Sequence, residues 1–163
     1  MRKSFILILC GTILVAIDQL TKRLAMTGLA GGPHVIIDGV FELRYTENRG
    51  AAFGMLQNQR IFFIIVTFLA LLALIWLYFR IPDDRRFLPL RIIDIFIISG
   101  AVGNLIDRIA RGYVVDFMYI SLIDFPVFNV ADIYVSWSAV LALILILFKY
   151  REDDFKRFRK NES

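Results

Sequence analysis

Two aspartates lie in apolar surroundings in the second half of this chain. Asp132 stands near the start of an almost uninterrupted apolar run, residues 129–148, and Asp116 lies just upstream within residues 112–117. An ionised carboxyl costs about 2.5–3.5 kcal/mol at the centre of a membrane helix and less near its end, so such residues usually face a protein interior or a wet cavity. Two carboxyls that share one proton can act as base and acid in turn. The pair therefore indicates acid/base chemistry at a membrane surface.

Other kinds of catalytic centre find little support in the sequence. The chain has one histidine, His34, and one cysteine, Cys10, so a zinc site or a nucleophile–histidine pair is not expected. We expect no metal and no cofactor. Cys10 is interpreted as a small buried side chain within an apolar run, and His34 as an exposed loop residue. Each aspartate also has an ordinary interpretation, Asp132 as a first-turn helix acid and Asp116 as a turn residue.

The composition is that of an integral membrane protein. Of the 163 residues 58% are hydrophobic, and the mean hydropathy is +0.67, whereas soluble domains contain about 45–50% apolar residues. The length predicts a single domain, residues 1–163, built as one compact bundle. The net charge of +4 does not indicate nucleic acid, because the basic residues flank apolar runs instead of gathering on a polar surface.

Four apolar runs are predicted to span the membrane. They cover about residues 5–25, 61–79, 88–109 and 129–148. The first run could instead be a cleavable signal peptide, since a short basic start precedes it and small residues follow near 29–32. We favour a span, because cleavage would leave three spans and place the basic tail on the opposite side of the membrane.

The basic residues predict the orientation of these spans. Of the 19 Lys and Arg residues, two precede the first run, four lie at positions 80–91 and six lie in the tail at 149–160. Because basic residues favour the cytoplasmic side, both termini and the middle loop are expected there. Residues 27–60 and 110–128 then lie outside, so the chemistry is expected at the outer face.

The connecting segments carry weaker signals. Residues 41–46 alternate between apolar and polar side chains, which is typical of a strand, and residues 31–33 (GGP) indicate a turn before them. We predict a small sheet lying on the membrane. The charged tail from Lys149 is expected to be solvated or to lie on anionic headgroups.

The third span carries polar and small residues near its outer end. Four of them share one helical face: Gly100, Asn104, Asp107 and Arg108. Gly100 and Gly103 allow another backbone to approach closely. This face is either a structural cluster satisfied by its neighbours or part of a site, in which Arg108 would position a substrate or hold the site together. Asp18 and Lys22 are spaced i, i+4, as in a helix ion pair at the membrane interface.

Five motifs in order carry a resemblance to a known family. They are residues 18–22 (DQLTK), 48–53 (NRGAAF), 100–108 (GAVGNLIDR), 114–117 (VVDF) and 128–132 (FNVAD). With these motifs the chain resembles the bacterial lipoprotein signal peptidases, or signal peptidase II, over residues 17–148. One departure is Glu47, where a basic or small polar residue is expected before Asn48.

The resemblance implies both a fold and an activity. The fold is an all-α membrane protein of four transmembrane helices, with a small extracytoplasmic sheet and a short cover segment over the site. The activity is that of an aspartic endopeptidase in the bacterial cytoplasmic membrane, which removes the signal peptide from diacylglyceryl-modified prolipoproteins just before the lipidated cysteine. Prolipoproteins and membrane lipid are the implied partners.

The resemblance also assigns roles to individual residues. Asp116 and Asp132 match the catalytic pair, and Asp18 and Lys22 match a supporting pair at the end of the first helix. The residues that match the polar and small lining of the site are Asn48, Gly50, Asn104, Arg108, Asn129 and Ala131.

Two other classes of protein remain open from the residues alone. In a small transporter or channel subunit, Asp116 and Asp132 would line a pathway. In a structural membrane subunit, Arg108 and Lys22 would recognise lipid. The clustering of polar residues toward one face of the membrane speaks against a pathway.

Overall fold

Four long helices make up most of the computed structural model, which describes residues 2–50, 58–154 and 157. They are α1 (Arg2–Gly28), α2 (Arg60–Arg80), α3 (Leu88–Ala110) and α4 (Val130–Phe148). Each is long and apolar enough to cross a membrane. The four predicted spans are confirmed, with every boundary within three residues of its helix end.

Helix α3 is central, since α1, α2 and α4 all pack against it. Two glycines permit this approach. A Cβ added at Gly100 would lie 2.5 Å from the carbonyl oxygen of Ala131 and 2.8 Å from a methyl of Val135, and one added at Gly103 would overlap the carboxyl of Asp18. Small residues at such crossings let helix backbones come close. Gly100 therefore serves the packing of α4 on α3, and Gly103 that of α1.

The outward faces of the helices are strongly apolar. Large side chains such as Ile61, Trp137 and Phe148 are exposed, as expected where lipid replaces water as the surroundings. The expectation that Cys10 is buried is wrong, because its side chain is exposed on α1. An apolar run predicts a helix but not its inward face, and in a membrane protein a small hydrophobic side chain serves equally well against lipid.

A three-stranded antiparallel sheet lies at one end of the bundle. Its strands are β1 (His34–Ile37), β2 (Phe41–Asn48) and β3 (Val114–Tyr119), in the order β1-β2-β3. The small sheet is confirmed and includes the predicted strand. His34 is exposed as expected but begins β1 and does not lie in a loop.

Strand β3 had no counterpart in the sequence-based prediction. Asp116 lies within it, opposite Thr46 of β2, and is not a turn residue. Residues 114–117 are all buried, so the alternation that identifies a half-buried strand is missing here.

The chain after α4 folds back onto the opposite end of the bundle. The ring of Tyr150 stacks on Phe87 with centroids 5.5 Å apart, and its hydroxyl donates to the carbonyl of Arg86 at 3.0 Å. Nε and Nη2 of Arg86 each donate to the carboxylate of Asp154 at 2.6 Å. The expectation of a solvated tail is therefore wrong for Tyr150 and Asp154, which are buried against the α2–α3 connection, whereas the other residues of 149–154 are exposed as expected.

Candidate active site

One cavity receives both aspartates. It has a volume of about 450 Å³ and lies where β3, the start of α4 and the connection between them meet. Its polar lining is Asn48, Gly50, Arg108, Asp116, Asp132 and Ser136, and its apolar lining is Ile120, Phe125, Pro126, Val127, Phe128, Ile133 and Trp137. The predicted cover after Asp116 falls within residues 120–128, of which Ile120 and residues 125–128 form one apolar wall of this cavity.

Asp116 is buried and held by two side-chain amides. Its Oδ2 accepts from Nδ2 of Asn48 at 2.9 Å, and its Oδ1 accepts from Nδ2 of Asn129 at 2.6 Å. Burial, together with the nearby charge of Asp132, raises the pKa of Asp116 to about 7, although both amide donors act in the opposite direction. Asp116 can therefore hold or release a proton near neutral pH.

Asp132 is fixed by the winding of α4. Asn129 is the N-cap: its side-chain oxygen accepts from the backbone N–H of Asp132 at 3.0 Å, and Oδ2 of Asp132 accepts from the backbone N–H of Asn129 at 3.1 Å. This is a capping box, in which two otherwise unpaired N–H groups of the first helical turn are satisfied. Oδ1 of Asp132 accepts from Nδ2 of Asn104 at 2.8 Å. Asn129 thus contacts both carboxyls.

Two hydrogen bonds to its oxygen fix the orientation of the Asn104 amide. Its oxygen accepts from Nζ of Lys22 at 2.9 Å and from Nδ2 of Asn129 at 3.2 Å. Since the ammonium group of Lys22 can only donate, the amide nitrogen of Asn104 must face Asp132. Lys22 therefore orients an amide that holds a site carboxyl.

Lys22 belongs to a fully buried ionic cluster. Its Nζ lies 2.9 Å from Oδ2 of Asp18 and 3.0 Å from Oδ2 of Asp107, and all three side chains are buried. Asp107 also pairs with Arg111 and accepts from the backbone N–H of Val115 at 3.1 Å. The prediction of a helix ion pair at the membrane interface is correct in the pairing of Asp18 with Lys22 and wrong in its setting.

The cluster also ties the start of α4 to α1. Oδ1 of Asp18 accepts from the backbone N–H of Ala131 at 3.0 Å.

The four residues expected on one face of α3 contact different parts of the structure. Asp107 faces the cluster, Gly100 packs against α4, and Asn104 and Arg108 reach the site.

Arg108 lies in the cavity wall. Its guanidinium carbon is 4.9 Å from the ring centroid of Phe63 on α2, and Nη2 is 3.5 Å from the carbonyl oxygen of Gly50. The stacking on an aromatic face leaves N–H groups of the guanidinium fork available to a bound molecule.

Sequence reasoning missed several contributors to the site. Nε2 of Gln19 donates to the carboxyls of Asp18 and Asp107 and to the carbonyl of Gly103, at 3.1–3.2 Å. The position of Gln19 inside the 18–22 motif is a signal that was available. Ser136 and Trp137 follow Asp132 by about one turn, a spacing that places them toward the same cavity.

The motif at residues 48–53 is only partly described by the structure, and Glu47 just before it lies outside the cavity. Residues 51–53 lie outside the described residues. The carboxylate of Glu47 accepts from Arg49 at 2.8 Å, which lowers the pKa of Glu47, and Glu47 does not line the cavity. Within the described ranges, no group of three His, Cys, Asp or Glu side chains converges as a metal site.

Comparison with known proteins places this geometry in a family context. The family model for signal peptidase (SPase) II matches residues 10–148. A lipoprotein signal peptidase of Streptococcus thermophilus is 44% identical over 137 residues, which cover 83% of this chain and 88% of that protein. Another from Clostridium tetani is 40% identical over 159 residues, covering 95% and 99%. A solved bacterial membrane enzyme is 34% identical with a TM-score of 0.78, covering 90% of this chain and 92% of that one.

Proposed function

The chain belongs to the signal peptidase II family, and on that premise we propose that it removes signal peptides from lipid-modified prolipoproteins with Asp116 and Asp132 as its catalytic pair. The observation that carries this proposal is that the two carboxyls line one cavity. Asn129 donates a hydrogen bond to each of them. The peptidase class follows from the family. The aspartic mechanism follows from the chemistry of paired carboxyls.

The surroundings of the two carboxyls favour different protonation states. Each carboxyl accepts two hydrogen bonds, but Asp132 also lies in the first turn of α4, where the positive end of the helix dipole stabilises a negative charge. Asp116 has a pKa of about 7 and holds a proton at slightly acidic pH. We therefore assign Asp132 as the initial base and Asp116 as the initial acid.

The reaction proceeds by attack of water on the scissile carbonyl carbon. Asp132 accepts a proton from the water as its oxygen bonds to carbon, while Asp116 donates its proton to the carbonyl oxygen, which gives a neutral tetrahedral diol. Asp132 then returns a proton to the leaving nitrogen, and Asp116 recovers one from the diol hydroxyl as the C–N bond breaks. The pair ends in its starting state.

The remaining walls of the cavity fit a lipid-modified substrate. Residues 120–128 and the exposed Trp137 supply an apolar surface beside the carboxyls. We propose that the diacylglyceryl group lies against this surface, which places the peptide bond before the lipidated cysteine at the pair. Arg108 then binds a carbonyl of the substrate or its lipid.

Replacing each aspartate by asparagine tests the mechanism. Asp116→Asn and Asp132→Asn should each abolish cleavage of a lipidated prolipoprotein by the purified protein, because an amide can neither take a proton from water nor share one. Asp124→Asn is the matched control, since Asp124 is exposed in the cover and bonds to Tyr119. Turnover near the wild-type rate in either dyad variant would contradict the mechanism. A wild-type protein that moves a solute without cutting the precursor would favour the transporter alternative.

We further propose that the sheet end of the bundle faces away from the cytoplasm in the bacterial cytoplasmic membrane, with both termini inside. The distribution of Lys and Arg supports this orientation. In a Cys10→Ser background, Val35→Cys on exposed β1 should react with an impermeant thiol reagent added to intact cells. Arg151→Cys should react only after permeabilisation. The reverse pattern would overturn the orientation.

A further inference from the structure

A second cavity lies at the opposite end of the bundle from the carboxyl pair. It has a volume of about 330 Å³ and is enclosed by α2, α3 and α4. Its walls are apolar side chains such as Leu77, Ile97 and Ile146, with one exception, the carboxyl of Asp94. The proposed reaction makes no use of this cavity.

Asp94 is buried without a hydrogen-bond partner. Its side chain is 4% exposed, and neither carboxyl oxygen has a donor among the described residues. The nearest arginine along the helix is Arg91, whose Nη1 and Nη2 are engaged by the carboxylate of Asp83 and the carbonyl of Pro82, both at 2.8 Å. Burying an unpaired carboxyl is costly, so its two acceptor oxygens point to a ligand that supplies donors.

Both cavities border α3 and α4, and the strip of α3 between them faces the groove between α2 and α4. Helix α3 packs against both α2 and α4, whereas the contact between α2 and α4 is slight in the described structure. Asp94 and Arg108 are separated by close to a whole number of helical turns, so both lie along the strip of α3 at the base of this groove. The rise of an α-helix places them about 21 Å apart. Arg108 marks the end with the catalytic pair, and Asp94 marks the other end.

The substrate class has the dimensions and charge to fill this groove. A signal peptide has a basic N-terminal region followed by an apolar segment of about 7–15 residues, and the bond to be cut lies beyond that segment. In helical form the apolar segment measures about 10–22 Å. A basic residue at the start of a segment near the upper end of this range therefore reaches the depth of Asp94 when the scissile bond lies at Asp116 and Asp132.

We propose that Asp94 is a recognition site for a Lys or Arg at the N-terminal edge of the signal peptide's apolar segment. This inference rests on the proposed function and adds to it a second point of attachment, remote from the reacting atoms. The basic side chain enters the cavity between α2 and α4, and its N–H groups satisfy the two free oxygens of Asp94. The long aliphatic stem of Lys or Arg suits the apolar walls.

Steady-state kinetics on two matched substrates tests the proposal. One lipidated prolipoprotein keeps its basic residues before the apolar segment, and in the other these residues are changed to Gln. Wild-type enzyme should show a KM for the basic substrate lower by on the order of tenfold, as expected for a hydrogen-bonded charged group. Asp94→Asn should remove this preference by raising the KM for the basic substrate alone, with kcat unchanged.

Two further variants separate recognition from structure. Asp84→Asn removes a carboxyl at the same end of the bundle that pairs with Arg157 and does not line the cavity, and should keep the preference for the basic substrate. Ala142→Leu narrows the cavity from α4 without changing charge, and should weaken the preference as Asp94→Asn does. If Asp94→Asn fails to fold, Ala142→Leu still tests the proposal.

The possible outcomes are distinct. Equal KM values for the two substrates with wild-type enzyme, or an equal rise for both with Asp94→Asn, would overturn the recognition role while leaving the peptidase activity in place. Absence of cleavage of either substrate by wild-type enzyme would instead overturn the proposed function, and with it the inference that depends on it.

Discussion

Two ionic contacts at opposite ends of the bundle hold their charged side chains in opposite ways. At the sheet end, the ammonium of Lys22 is fully buried between the carboxyls of Asp18 and Asp107. At the other end, Arg86 pairs with Asp154 close to the surface, beside an aromatic stack. Removing one partner of a buried pair leaves an uncompensated charge in low dielectric, whereas exposed pairs contribute little. The comparison teaches that the Lys22 cluster is built for fixed geometry, whereas the Arg86–Asp154 pair is built to tolerate change.

Removing Lys22 should be the most damaging change to this arrangement outside the proposed catalytic pair. Lys22→Met leaves Asp18 and Asp107 buried without their shared cation, and should lower stability by about 3–5 kcal/mol. It also frees the amide of Asn104 to turn away from Asp132, so cleavage should be lost in whatever protein remains folded. Thermal unfolding in detergent together with a cleavage assay measures both effects.

A second substitution sharpens the same point. In the double variant Lys22→Met, Asp18→Asn the carboxyl that is left without a cation is neutralised, since Asp107 still pairs with Arg111, so part of the lost stability should return while cleavage stays low. Full recovery of cleavage would show that Lys22 has no role in orienting Asn104. Wild-type stability of the single variant would show that the buried cluster does not distinguish the two ends.

Changing the shape of Arg108 without changing its charge should have the next largest effect. Arg108→Lys loses the planar fork that stacks on Phe63. We expect kcat/KM to fall on the order of tenfold, equivalent to about 1.4 kcal/mol, with the fold retained. Near-normal rates in stable Arg108→Lys and Arg108→Ala variants would assign Arg108 a structural role only.

The pH dependence of kcat/KM should change when the hydrogen bond from Asn48 to Asp116 is removed. Because Asp116 has a pKa of about 7, raising the pH through this value removes the shared proton, and kcat/KM should decline on the alkaline side. The amide of Asn48 donates to the ionised form of Asp116 and lowers its pKa. Asn48→Ala should therefore move the alkaline decline to higher pH.

The neighbouring Glu47 provides the control for this measurement. Glu47→Gln removes a charge next to Asn48, but Glu47 pairs with Arg49 and does not line the cavity. The alkaline decline should stay in place in this variant. A decline that moves to lower pH in Asn48→Ala would contradict the assignment of Asp116 as the group that is titrated.

The smallest effect is expected at the opposite end of the bundle. Asp154→Asn breaks the two hydrogen bonds to Arg86 but leaves Tyr150 stacked on Phe87. The thermal midpoint should fall by less than in Lys22→Met, and kcat/KM should stay at the wild-type value. A loss of cleavage in this variant would show that the two ends are coupled and would break the comparison.

The sequence predicted best those features that depend on local patterns. The spans follow from continuous apolar runs, and their boundaries lie within three residues of the helix ends. The motifs around Asp116 and Asp132 predicted residues that the structure brings to one cavity. Here short ordered motifs and hydropathy carry the relevant information.

The features that the sequence did not predict depend on distant partners. Strand β3 is buried on both faces around Asp116, so it lacks a period-2 pattern. Lys22 meets Asp107 from another helix, more than eighty residues along the chain, and Tyr150 meets Phe87 across more than sixty. No spacing rule within one helix reveals such contacts, which explains why Asp18 and Lys22 resembled an ordinary interface pair.

The length of α4 links the proposed catalytic pair to the lipids around it. The helix has 19 residues and is therefore about 28 Å long, close to the hydrocarbon thickness of about 30 Å. Its first turn, which holds Asp132, thus lies at one hydrocarbon boundary when Phe148 lies at the other. When the helix length and the bilayer thickness differ, tilting the helix or compressing the bilayer costs a fraction of a kcal/mol per Å of mismatch. Acyl-chain length in the host membrane consequently sets the depth at which a precursor must present its bond.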